Sequence, residues 1–113
     1  MSARGEARLW VMQRATALVL ALCVAVHLVT IIYAVRGGLS ASEILGRTRG
    51  NVAWAAFYAM FVLAASIHGS IGLRNIALEW GGLRSRPAHV LMAIVAVLLA
   101  ALGLRAVFAV VSA

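Results

Sequence analysis

In the stretch "SIHGSIGLRNIALEW", Ser66 to Trp80, an apolar run takes in His68, Arg74 and Glu79. A charge at the centre of a membrane helix costs on the order of 2.5–3.5 kcal/mol by insertion scales, so each of these groups needs a partner. Neutral imidazole is a common iron ligand, and coordination would satisfy a ring nitrogen that lipid cannot. On a helix, the face of His68 also carries Trp54, Phe61, Ala64, Ala65, Gly72, Asn75 and Glu79. Ala64 or Ala65 on one side and Gly72 on the other leave the flat space a porphyrin needs to reach the ring. The same pattern suits a histidine hydrogen-bonded to a neighbouring helix, with the small residues admitting close approach. Spacing alone leaves both readings open.

His27 is the second candidate, sharing its face with Thr16, Cys23, Thr30 and Ala34. It has no flanking glycine, so hydrogen bonding within the bundle weighs more there. His89 is most simply an interfacial residue. Cys23 is alone, which excludes an internal disulfide, a redox pair and a zinc site; it reads as a small buried residue.

The elements that must position these groups are membrane spans. The chain has 113 residues, of which 65% are hydrophobic and 12% charged, and its mean hydropathy is +1.03. A soluble domain carries roughly 25% charged residues. The net charge of +7 comes from ten arginines and no lysine. They fall near the edges of apolar runs rather than on one solvated face, which suits interfacial anchoring and speaks against nucleic acid. About 20 apolar residues cross a bilayer, and three segments qualify: about 9–35, about 51–78 and about 88–111. The basic N-terminus resembles a signal peptide, but the apolar run after it is too long for one, and it reads as a retained span. Ser40 and Glu43 form a weak capping box for a short interfacial turn after the first span. Pro87 suits the first turn of the third.

Orientation follows the arginines. With the N-terminus inside, the inner side holds Arg4, Arg8, Arg14, Arg74, Arg84 and Arg86, against Arg36, Arg47, Arg49 and Arg105 outside. If Arg14 and Arg74 both mark the inner interface, His27 and His68 differ in depth by about 10 Å at 1.5 Å per residue. They then cannot grip the two faces of one iron in an upright ring. Two haems, or one histidine that is not a ligand, follow, and each iron needs a second ligand from a partner.

"HGSIGLRNIALEW" resembles the second-helix signature of the membrane-anchor cytochrome b subunits of succinate dehydrogenase and fumarate reductase. That signature sets a haem-ligating His before Gly at the fourth position and an acidic-aromatic pair at the eleventh and twelfth. Here these are His68, Gly72, Glu79 and Trp80, with "GLR" matching the usual Gly-x-Arg. "QRATAL", Gln13 to Leu18, resembles the start of the family's first helix, His-Arg-x-Thr-Gly, with Gln13 and Ala17 as departures. The resemblance covers nearly the whole chain and implies an all-α anchor of three transmembrane helices within a heteromeric bundle, N-terminus cytoplasmic, in a bacterial cytoplasmic (inner) membrane.

The resemblance further implies that His68 is an axial ligand to haem b, with Gly72 beside it. Arg14 and Arg74 become propionate neighbours, and Arg14 also lies near the quinone with Trp10 and Trp80; Trp10 stands where the family often has a quinone-contacting serine. His27 is similar to the first-helix ligand of two-haem anchors. The implied partners are a flavoprotein subunit carrying FAD, an iron–sulfur subunit, and a second anchor or another copy of this chain. Dicarboxylate chemistry would lie on those partners. The rivals are a cytochrome b anchor of formate dehydrogenase or hydrogenase type, which usually has more spans and histidines, and a non-redox membrane scaffold.

Overall fold

The structure, a computed structural model, describes all 113 residues. It is four helices and no strands: α1 (Ala3–Gly37), α2 (Ala41–Thr48), α3 (Val52–Glu79) and α4 (Ser85–Ser112). Three of them, α1, α3 and α4, are long and apolar enough to cross a membrane. At 28 residues, α3 and α4 are each about 42 Å long, close to the 49 Å long axis of the molecule.

Backbone groups near lipid must be satisfied within the chain, and the helix ends show how. Ser2, Ser40 and Asn51 cap α1, α2 and α3 by accepting from the amides of Gly5, Glu43 and Trp54. Glu43 does not complete a capping box; its carboxylate turns instead to Arg47, 3.5 Å away. Gly38 ends α1 in the left-handed region at φ 103°, and its amide reaches Ala34 and Val35. The α2–α3 turn is tied to the far end of α4. The Thr48 hydroxyl donates to the Val110 carbonyl at 2.9 Å, and the Gly50 amide to that of Val111 at 2.8 Å.

α3 is the central helix, packed against α4 and α1, while the backbones of α1 and α4 do not approach each other closely. Its buried residues include Ala64, Ser66, Ser70 and Arg74. Small side chains let membrane helices approach closely, and the hydroxyls of Ser66 and Ser70 are satisfied on their own helix by the carbonyls of Val62 and Ile67. Against α4, Gly103 sits over Val62, where an added Cβ would overlap both methyls. Cys23 is buried and unpaired. The outer surfaces of α1 and α4 remain apolar and exposed, with Leu18, Val29, Val97 and Phe108 among them.

Gly103→Ala should therefore destabilise the α3–α4 contact by about 1–3 kcal/mol, the usual cost of overpacking. Gly69→Ala, whose new methyl would meet only Leu99 at 3.7 Å, should be near neutral. Denaturation of the chain in detergent micelles measures both.

Candidate functional site

Arg74 sets the geometry of the site. It is 2% exposed, and a guanidinium keeps its charge at any physiological pH. Its compensation comes from the first turns of α1: Nη2 pairs with the Glu6 carboxylate, while Nη1 donates to Asn75 Oδ1 at 2.9 Å. This partner is not legible in the sequence, because the first apolar run begins only at Leu9. α1 begins six residues earlier, at Ala3, and that extension carries Glu6 to Arg74.

The pairing corrects the expected register. Arg74 meets Glu6 rather than the level of Arg14, eight residues or about 12 Å further along α1. His68 lies level with Thr16, whose hydroxyl oxygen is 3.3 Å from its Nδ1. His27 stands edge-on to the rings of Tyr58 and Phe61, with centroids 6.0 and 5.5 Å away. Measured along α1 from Thr16 the two histidines are eleven residues apart, about 16 Å in depth, and along α3 from Tyr58 and Phe61 ten and seven residues, about 10–15 Å, beside the 10 Å expected from aligned arginines.

The histidines open into different cavities. His68 shares one of about 670 Å³ with Glu6, Trp10, Gln13, Arg14, Arg74, Asn75 and Glu79. Both arginines expected near the ring are thus present, together with two carboxylates. Arg14 lies over the Trp10 ring at 5.4 Å, one turn away, so the indole and guanidinium form one wall. Two buried atoms here have no protein partner, Arg74 Nε and Gln13 Oε1. The first is a donor and the second an acceptor, so a ligand carrying a carbonyl or carboxylate oxygen and a hydroxyl would satisfy both. Trp80 does not join this lining; it is 85% exposed at the end of α3.

Gly72 faces α1. A Cβ there would lie 3.5 Å from Gln13 Nε2, so the space beside His68 on that side admits the Gln13 amide. Ala64 is buried. Phe61 and Ala65, expected on the face of His68, line the second cavity instead.

That second cavity, about 440 Å³, lies under α2 and between α1 and α4, and is lined by His27, Tyr58, Phe61, Ala65, Gly103 and Ala106 among others. No charged side chain lines it. His27 Nδ1 is buried there without a partner. His89 is separate, its Nδ1 lying 2.7 Å from the Ser85 carbonyl at the start of α4.

Three residues of the first site, Glu6, Gln13 and Thr16, were missed from the sequence; Gln13 stood there only as a departure from the family motif. Glu6 could have been found only by extending the helix through the polar N-terminus. Thr16 was placed on the face of His27, and it does lie on the side of α1 turned to α3, but its ring partner is His68.

Breaking the pair should be felt in stability. Glu6→Gln should cost about 1–2 kcal/mol, less than the roughly 3–5 typical of a fully buried pair because Glu6 is half-exposed. Glu79→Gln, which breaks no ion pair, should stay within about 0.5 kcal/mol of wild type. Thermal unfolding of the two variants in the same detergent makes the comparison.

The family model described as succinate dehydrogenase/fumarate reductase transmembrane subunit matches residues 1–111. No curated protein and no solved structure matches the chain.

Proposed function

The chain belongs to the succinate dehydrogenase/fumarate reductase transmembrane-subunit family, and on that premise we propose that it ligates haem b through His68 and helps form a quinone site. Membership implies association with the other subunits of such a complex and with the membrane. The observation that supports the reading is the cavity beside His68. One imidazole, whose Nε2 has no hydrogen-bond partner in the chain, shares that cavity with Arg14 and Arg74. Haem b, when bound, supplies a one-electron relay.

The chain's own part is binding and electrostatics. His68 offers a lone pair from a helix that packs against both neighbouring spans. Arg14 and Arg74 present fixed positive charge to carboxylates or to negative charge developing on a quinone oxygen. The free Nε–H of Arg74 suits a carbonyl oxygen, and Gln13 Oε1 suits a hydroxyl. Trp10 gives an apolar face against which a quinone ring can lie. Electrons would come from an iron–sulfur subunit, with FAD and dicarboxylate chemistry on a flavoprotein, and the second iron ligand from another anchor or a second copy of this chain. The arginine bias favours the N-terminus and the His68 cavity on the cytoplasmic side, and the proposed setting is a bacterial inner membrane.

A second reading, with two haems at different depths, is favoured by His27. It opens into its own cavity and has a buried ring nitrogen without a partner. The small residues Ala65 and Ala106 line it, although no cation of the lining would meet a propionate. His27→Ala would then remove one of two redox-titratable haems, and a wild-type complex with a single haem would leave only the His68 site.

His68→Ala should abolish the haem of the first site, measured as pyridine haemochrome per complex; unchanged content would remove His68 as a ligand. Arg14→Leu should lower quinone reduction at least tenfold more than it lowers dye reduction by the soluble subunits, taking about 1.4 kcal/mol for one lost charge-assisted contact. Equal loss in both assays would mark an assembly defect instead.

A further inference from the structure

Thr16 has one hydroxyl proton and three polar atoms within reach. Two are carbonyls of its own helix, Met12 at 2.7 Å and Gln13 at 3.2 Å. The third is His68 Nδ1 at 3.3 Å, on α3. The proton goes to the shortest acceptor, the Met12 carbonyl, an arrangement common for threonine within a helix. Toward the ring the hydroxyl then presents only lone pairs, so Nδ1 must carry hydrogen and donate. In a neutral imidazole with hydrogen on Nδ1, the free lone pair is on Nε2. The opposite arrangement would exchange a 2.7 Å bond for a 3.3 Å one and place a proton on Nε2, where it would block a metal.

We propose that Thr16 is a positioning residue for haem ligation, holding His68 in the Nδ1–H tautomer with its Nε2 lone pair free toward the cavity. The proposal rests on His68 being the haem ligand and adds what selects the ligating nitrogen. A metal-bound histidine that donates its other N–H becomes a stronger electron donor, so the contact also favours the ferric over the ferrous state. His27 lacks this device: the hydroxyl of Thr30, on its face of α1, donates to the Val26 carbonyl, and Nδ1 of His27 has no partner. The two histidines are thus chemically unequal: His68 has a hydroxyl at Nδ1 and a polar cavity, His27 an unpartnered Nδ1 and an apolar one.

The test uses the assembled complex with Thr16→Val, which keeps the shape and loses the hydroxyl, and Thr16→Ser, which keeps the hydroxyl. The readouts are the midpoint potential of the haem, its low-spin ferric EPR signature, and its rate of loss to a haem acceptor. The valine variant should bind haem but lose it about tenfold faster, the low end of the effect of removing such a partner. Its potential should be higher and its EPR signature displaced, while serine restores all three. Wild-type behaviour in the valine variant, or equal displacement in both variants, would overturn the proposal. His68→Ala measured alongside separates the two levels. Loss of haem there with an unaltered valine variant overturns only the role of Thr16, whereas retention of haem overturns the ligand reading as well. Should valine prevent assembly, nitrogen NMR of the isotope-labelled wild-type chain in bilayers reads the tautomer directly. A protonated Nδ1 at His68 is expected, and a protonated Nε2 contradicts it.

Discussion

A guanidinium that cannot shed its proton is buried between apolar helices, and the rest of the site follows from how it is neutralised. Arg74 requires an anion within reach, and Glu6 on the first turns of α1 supplies it. For Glu6 to be there, α1 must stay helical well before its apolar run begins, and it must run beside α3 in one register. That register sets Gln13 against Gly72 and Thr16 against His68. The cavity beside the imidazole is bounded by the same contacts, so the ion pair, the helix register and the environment of His68 form a single arrangement.

The three spans could be read from apolar length, since little else satisfies backbone groups in hydrocarbon. Ser40 and Asn51 fulfil local capping rules that need only a few neighbouring residues. Contacts between helices were not legible in the same way. Counting residues from Arg14 and Arg74 assumed that both stand at one level, but a long arginine side chain finds its counter-charge wherever another helix offers it. The eight-residue difference between Arg14 and Glu6 could not be seen without the second helix in place. Thr16 shows the same limit from the other side. Its periodicity assigned it to the face of His27, and only the pairing of α1 with α3 shows which ring it meets.

Gly72 carries a different lesson. A glycine one turn from a histidine is expected wherever a flat ring must approach, and equally wherever two helices do. Here the neighbouring atom is the amide of Gln13, at a position where the family motif commonly has histidine. Together with the unpartnered Arg74 Nε and Gln13 Oε1, this gives a polar wall to a cavity whose other side is the Trp10–Arg14 stack. The exposed apolar faces of α1 and α4 are what a chain surrounded by lipid and other subunits presents.

The central claim is that this chain contributes an imidazole to a b-type haem. It is tested most directly by the dithionite-reduced minus oxidised visible spectrum of the purified wild-type complex, normalised to the amount of this chain. A b-type spectrum with at least one haem per pair of anchor chains is the expected result. A complex that is fully assembled and active but shows no haem bands would contradict the account.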